Sequence, residues 1–322
     1  MRVAFIGGTG PVGQASLPHL LVAGHDCAVA HSGAHEPPEP DGAEHLHDTR
    51  AELLAPGGAV ERWSPDVLVD TFAGGASAAK AEELRGLAKR VGARQIVALS
   101  SIDVYRHSAA AGVGGFAPPE LPTDPLPLHE ERSPLRTEPM PFTPHHDNVA
   151  MEAALAGAAP RVTLLRPGAI YGPAFHAAVL REWFLVERAL RGDRTLPFPH
   201  GGTQLFHRVA LDRVGRAVAA AVEHAPEGTW ACNVADPYDW TYGGLAQLVA
   251  QRLGHTWEPD ANPEADHPWN ARHPVLVDTT RLRTVLHVGP ADPDPREATT
   301  TQIAWLAENA GRVAQVPPRG EG

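Results

Sequence analysis

Cysteine is scarce in this sequence: Cys27 and Cys232 are the only two in 322 residues. That rules out the multi-disulfide framework of small secreted domains. Each sits in an apolar segment, so both read as buried free thiols in a reducing cytoplasm, with a single disulfide between them still open. Long apolar runs are missing as well. No stretch approaches the roughly 20 apolar residues of a membrane helix, and after the apolar start Met1 to Ile6 glycine follows too soon for a signal-peptide core. The expected location is the cytoplasm, with no membrane partner. Positive charge is in short supply: 27 Lys plus Arg stand against 38 Asp plus Glu, a formal charge of -11, and Lys80 and Lys89 are the only lysines. A surface of that sign repels phosphate backbones, and no local basic patch stands out to reverse it, so no nucleic-acid partner is expected.

What is present is ordinary globular material, 43% hydrophobic and 20% charged, in a chain long enough for one large or two closely joined domains. Short apolar runs alternate with helix-patterned stretches. Strands are predicted at Arg2–Ile6, Asp26–Ala30, Glu44–His47, Asp66–Asp70 and Gln95–Leu99, with helices at Gly13–Ala23 and Ser77–Val91. Alternation at this spacing argues for right-handed βαβ units and a parallel sheet. Residues 106–144, rich in proline and glycine, break the pattern and read as a lid-like insertion. Beyond them come helix His146–Ala156, strand Arg161–Leu165, helices Ala177–Leu190, Leu211–Glu223 and Tyr242–Leu253, and a last helix near Arg296–Asn309.

The strongest chemical signal is Gly7-Gly8-Thr9-Gly10-Pro11-Val12-Gly13, directly after the first strand and opening the first helix. Glycines at 7, 10 and 13 permit a tight turn, close approach of a pyrophosphate, and close helix–strand packing. The helix N-terminus adds free N–H groups and a positive dipole end. The expected fold class is therefore α/β, a Rossmann-type doubly wound parallel sheet with a smaller C-terminal substrate-binding cap. Residues 1–170 are the expected dinucleotide-binding domain, and 171–322 hold the cap together with a part that returns to the sheet.

The Gly-x-x-Gly-x-x-Gly spacing resembles the extended short-chain dehydrogenase/reductase family, the epimerase/dehydratase group. Leu99-Ser100-Ser101-Ile102-Asp103-Val104-Tyr105 resembles its Ser-Ser-x-x-x-Tyr segment, and Arg166-Pro167-Gly168-Ala169-Ile170-Tyr171-Gly172-Pro173 its Arg-Pro-x-x-x-Tyr-Gly-Pro element. Phe206 to Val209, Asp212 to Gly215 and Cys232 to Ala235 extend the likeness through nearly the whole chain. The resemblance implies NAD or NADP as cofactor. Gly7, Thr9, Gly10, Pro11, Val12 and Gly13 would cradle the pyrophosphate, and His31 and Ser32 would face the adenosine ribose. Neither is the acidic residue that favours NAD nor the arginine that favours NADP, so the choice stays open. Asp48 would contact adenine. Phe72, Ala73 and Gly74 would line the ribose region, with Ser100, and Pro167, Gly168, Ala169 and Ile170 would lie against the nicotinamide.

The family's acid/base is a Tyr-x-x-x-Lys pair working with a Ser or Thr. Ser101 matches the serine. Counting back from Glu152, however, puts Asn148 at the lysine position and Pro144 at the tyrosine position. Three readings follow. His145 or His146 replaces the tyrosine, with His145 leading; Tyr105 or Asp103 reaches the substrate; or the protein binds a dinucleotide without turning it over. Asn148 is expected to hydrogen-bond the ribose. Arg136, Trp183, His207 and Arg208 are candidate contacts for a small polar substrate, with solvated arginine the simpler reading of Arg136. Arg166 reads as a structural partner within the sheet. Asp266, His267 and His273 lack the spacing of a ligand set, and no metal is expected. The expected function is an NAD(P)-dependent oxidoreductase or epimerase-like enzyme acting on the alcohol or carbonyl carbon of a nucleotide sugar or secondary metabolite. The alternative is a non-catalytic dinucleotide-binding sensor or partner subunit. A homodimer is expected, pairing through the alanine-rich helices Ser77–Val91 and His146–Ala156.

Overall fold

A computed structural model describes residues 1–34, 42–72, 75–111, 124–138, 146–260, 269, 271–290 and 292–317. The chain runs β1 (Arg2–Ile6), α1 (Pro11–Val22), β2 (Asp26–His31), β3 (Glu44–His47), α2 (Arg50–Leu54), α3 (Ala59–Trp63), β4 (Val67–Asp70), α4 (Ala78–Val91), β5 (Gln95–Leu99), α5 (Arg106–Ala110) and α6 (Asn148–Leu155). It continues with β6 (Arg161–Pro167), β7 (Ala169–Tyr171), α7 (Trp183–Arg191), β8 (Thr195–Pro197), β9 (Arg208–Ala210), α8 (Leu211–His224), β10 (Gly228–Val234), α9 (Tyr242–Leu253), β11 (Glu258–Asp260), α10 (Thr280–Thr284), α11 (Pro295–Glu308) and α12 (Ala310–Val313).

Seven strands form one sheet in the order β10-β6-β5-β4-β1-β2-β3, every neighbouring pair parallel. The reason is visible in β1. Val3 and Phe5 pack into the core shared with α1 and α8, while Ala4 and Ile6 pack on the opposite face with α4 and α6. A strand buried on both faces reads as a continuous apolar run, the mark of a parallel sheet with helices on each side. The α1 and α8 helices approach so closely that a Cβ on Gly215 would stand 2.2 Å from the Ala15 carbonyl oxygen. Neither cysteine forms a disulfide, and both are buried on this side of the sheet.

Away from the sheet, α7, α9 and α11 enclose a separate apolar cluster that includes Leu185, Leu245, Trp257 and Ile303. Two short parallel pairs, β7 with β9 and β8 with β11, belong to this later part of the chain. The helix expected over Ala177–Leu190 is in fact a single 3-10 turn at Ala177–Val179 followed by α7. The break falls where Glu182 turns its carboxylate inward to Arg208, 2.8 Å away. The described part of 106–144 holds α5 and two isolated bridges, Tyr105 with Leu135 and Leu128 with Val277. Among the described residues no helix is long and apolar enough to cross a membrane.

Candidate active site

The strands β1, β4, β5 and β6 are adjacent and parallel, so the loops leaving them share one edge of the sheet. Strand order reverses between β1 and β4, and the crevice outside such a switch point is where open α/β sheets bind ligands.

The turn from β1 into α1 uses its glycines for different reasons. Gly7 has a φ of +79°, a left-handed conformation that glycine adopts without strain. A Cβ on Gly13 would lie 2.0 Å from the Gly8 carbonyl oxygen. Gly10 is unlike both. Its φ is -74°, and an added Cβ would meet nothing within 4 Å. Neither conformation nor packing within the chain calls for glycine there, so the space before it suits a group from outside the chain. Gly10 is also the N-cap of α1, where no side chain caps the helix and no acidic residue occupies the first turn. Pro11 has no N–H to satisfy, Val12 packs toward the core, and Gln14 Nε2 donates to the Thr9 carbonyl at 2.8 Å. The turn fits a pyrophosphate.

The neighbouring strand ends close around this turn. Thr71 Oγ1 donates to the Gly7 carbonyl at 2.9 Å. Phe72 follows in a left-handed conformation with φ of +47°, its ring buried and 5.5 Å from the Arg50 guanidinium. That ring belongs to the core; the residue reaches a ligand only with its backbone. Ala73 and Gly74 lie outside the described residues. His31 ends β2 and is buried, Ser32 beside it is exposed, and Asp48 is exposed after β3 with its carboxylate accepting from the Thr49 amide. Gly168, after β6 and the buried Pro167, is required by a close approach: a Cβ there would stand 2.2 Å from the His207 carbonyl oxygen. Ala169 is buried, and Ile170 spans the sheet core and the later cluster.

At the end of β5 the two serines part company. Ser100 donates to Glu152 Oε1 at 2.6 Å, inside a buried network in which Arg166 grips both oxygens of Glu152, at 2.9 and 2.6 Å. Ser101 is half-buried, its Oγ accepts from the Asp103 amide at 3.2 Å, and its own hydrogen has no acceptor among the described residues. Tyr105 corrects an expectation. It is fully buried, donates to Asn233 Oδ1 at 2.6 Å and accepts from Arg166 at 3.1 Å, and burial pushes its phenol up to about 12. A phenol so held is part of the scaffold and not a proton donor to a ligand. Arg166 is the structural partner expected of it.

Around Asp103 a second set converges. The amide of Asn148 donates to both Asp103 oxygens, at 3.0 and 3.2 Å, so the residue at the lysine position is committed to a carboxylate and not turned to a ribose. His146 Nε2 lies 3.7 Å from Asp103 Oδ2, and its Nδ1 accepts from the Ala76 amide at 3.1 Å. Burial raises the Asp103 pKa, but hydrogen bonds from His146 and Asn148 and the charges of His146 and Arg136 outweigh it, and the net shift is downward. His145, Pro144 and their neighbours lie outside the described residues. Arg136 is no solvated arginine: it is 4% exposed, donates to the Asp103 carbonyl at 3.1 Å and to Asp147 at 3.3 Å, and so binds the insertion to the turn after β5.

No family model and no curated relative matches the chain. Solved structures do. The UDP-glucose 4-epimerase of Thermotoga maritima, solved with UDP-glucose, has a TM-score of 0.72 at 18% identity, over 96% of this chain and 100% of its own. MoeE5, solved with UDP-glucose and NAD, has a TM-score of 0.71 at 17% identity, over 96% and 100%. The UDP-glucose 4-epimerase of Thermus thermophilus, in complex with NAD, has a TM-score of 0.68 at 20% identity, over 95% and 99%. This chain shares the fold of these structures along nearly its whole length.

On this fold, the substrate candidates of the later chain turn out to be mostly internal. His207 is buried, its Nε2 donating to the Asp236 carbonyl at 2.8 Å while Nδ1 accepts from the Val277 amide, and burial lowers its pKa. Arg208 is 1% exposed and paired with Glu182 and Asp239, each at 2.8 Å, which leaves its charge neutralised within the protein. Trp183 is half-buried against the α7–α9–α11 cluster. Sequence reasoning missed Gln204, which is 3% exposed with both polar side-chain atoms unpartnered among the described residues. A buried amide in that state is what a ligand can satisfy, and nothing in the local sequence signals it.

Proposed function

We propose that the chain is an NAD(P)-dependent oxidoreductase or epimerase-like enzyme acting on the alcohol or carbonyl carbon of a small polar substrate of the nucleotide-sugar class. Its proton-holding group is the Asp103–His146 pair. The observation that carries this reading is the setting of His146: a half-buried imidazole fixed by the Ala76 amide on one nitrogen, with the other 3.1 Å from the Asn148 amide nitrogen and 3.7 Å from Asp103, whose own amide donates to Ser101 Oγ. The open space before Gly10 and the UDP-sugars and NAD named with similar structures support it. Residues 1–170 are assigned to the dinucleotide and 171–322 to the substrate cap and the returning sheet.

When bound, the dinucleotide supplies the hydride acceptor and donor. Gly10 and the first turn of α1 hold its pyrophosphate. Ser101 donates its free hydroxyl hydrogen to the substrate oxygen. The Ala76 amide holds Nδ1 as an acceptor, and Nε2 lies 3.1 Å from the Asn148 amide nitrogen and 3.7 Å from Asp103 Oδ2. Asp103 is kept ionised, so the pair has room for one more proton on the carboxylate. It takes the hydroxyl proton as the carbon is oxidised and returns it on reduction.

A second reading keeps the dinucleotide and drops the chemistry. The commitment of Asn148 to Asp103, at the position where a lysine would stand, favours it. Incubating the NAD-loaded protein with a panel of UDP-sugars and following nicotinamide reduction separates the two. Hydride transfer to the bound nucleotide supports the enzyme; a stoichiometric complex that turns over no member of the panel supports the binding protein. We further propose a homodimer built on the α4 and α6 face, where Arg85 of α4 already reaches the Ala154 carbonyl of α6 at 3.2 Å.

A further inference from the structure

We propose that His31, His45 and His47 form a binding site for a divalent transition-metal ion of the zinc class at the edge of the sheet. Register creates the cluster. His31 ends β2, His47 ends β3, and the two are direct partners in the parallel pairing. His45 stands two residues before His47, and the two-residue period of a strand puts both on one face. That is also the face of His31, since Val29, two residues earlier on β2, pairs with His45.

The distances suit a small ion. One nitrogen from each ring can be chosen so that all lie within 4.8 Å of one another, and His31 Nε2 is 2.8 Å from His45 Nδ1. Ring centroids are 4.5 Å apart for His31 and His47, and 5.0 Å for His31 and His45. Tetrahedral ligation at about 2.0–2.1 Å sets nitrogen atoms roughly 3.3 Å apart, a spacing inside the range the cluster spans.

The donor set decides the class of ion. Three imidazoles and no carboxylate suit zinc, copper or nickel and not magnesium or calcium. Three protein ligands leave a fourth position for water. Burial grades outward, with His31 buried, His45 intermediate and His47 exposed on the edge strand, so an ion reaches the site from solvent. Ligation has a proton cost. The Gly33 amide donates to His31 Nδ1 at 3.2 Å, which places the ring proton on Nε2. Binding through Nε2 moves that proton to Nδ1 and turns away the amide of Gly33, a glycine with φ of +78°.

The test uses the full chain stripped with chelator and no dinucleotide, so its outcome is independent of the enzyme reading. Co(II) is titrated while its visible absorption is followed, and Zn(II) is titrated by calorimetry. One ion per chain is expected, with tetrahedral Co(II) bands. His45→Ala and His47→Ala should each weaken binding at least about tenfold, while His224→Ala, a histidine elsewhere on the surface, leaves it unchanged. His47→Gln is the safeguard against misfolding, because that side chain is exposed. A wild type that takes up no ion, or binding that survives both His45→Ala and His47→Gln, overturns the site and leaves a hydrogen-bonded imidazole cluster.

Discussion

Asp103 and His146 face one another at 3.7 Å across the mouth of the sheet, one from the turn after β5 and the other from the approach to α6. The carboxylate also accepts from Asn148 and lies 3.9 Å from Arg136, so three residues from two other segments of the chain depend on its charge. That dependence has a pH signature. The folded pKa of Asp103 is depressed below its unfolded value, which is about 3.9. The stabilisation is therefore fully present above the unfolded value and lost as pH falls through the folded one. Asp103→Asn should lower stability at neutral pH by about 1–3 kcal/mol. The gap from wild type should narrow in denaturant melts below about pH 4. A gap that stays constant with pH means the carboxylate is not held ionised.

Gly10 makes the dinucleotide assignment testable without activity. Gly10→Asp places an anion where the pyrophosphate belongs, yet the backbone at φ of -74° accepts any residue and the added Cβ has no neighbour within 4 Å. Folding should be unaffected and NAD(P) affinity abolished. Calorimetry that finds a correctly folded variant binding as tightly as wild type refutes the assignment.

Discrimination between the two cofactors should be weak. The proposed ribose end carries His31 and Ser32 in place of an acidic residue or an arginine; both ring nitrogens of the buried His31 are engaged, by the Gly33 amide and His45, and the exposed Ser32 can hydrogen-bond either ligand. The affinities for NAD and NADP should differ by less than about 2 kcal/mol, or about 30-fold. A larger preference would point to a different residue reading the ribose.

The fold was legible because its signals are local. Strands buried on both faces carry unbroken apolar runs, as β1 and β5 do, and the glycine turn sits between a strand and a helix in the order that a phosphate-binding turn requires. What was illegible depends on contacts distant in sequence. Arg208 reads as a candidate substrate contact until Glu182 and Asp239 close around it, and Tyr105 reads as reactive until Asn233 reaches its hydroxyl. His31, His45 and His47 are unremarkable until the pairing of β2 with β3 sets them side by side. The missing Tyr-x-x-x-Lys pair was plain in the sequence; which neighbouring histidine meets a carboxylate was not.

Light scattering at micromolar concentration checks the dimer. Twice the chain mass of 34.2 kDa is expected. A second copy of the chain should also protect α4 and α6 from hydrogen exchange as concentration rises. A particle of single-chain mass rejects the α4–α6 interface.

The central claim is that the Asp103–His146 pair moves the substrate proton, and the direct measurement is the pH–rate profile of hydride transfer in four proteins. For the wild type, a profile with a limb set by the pair is expected. His146→Ala should reduce turnover by at least about 10²-fold, the low end for a positioned acid/base, and remove that limb. His145→Ala, which alters the adjacent histidine, should do neither. Tyr105→Phe should lower stability, because it removes one hydrogen bond each from Asn233 and Arg166 inside the buried network, while keeping both the rate and the limb. If Tyr105→Phe or His145→Ala abolishes turnover while His146→Ala retains the wild-type rate and profile, the account is wrong.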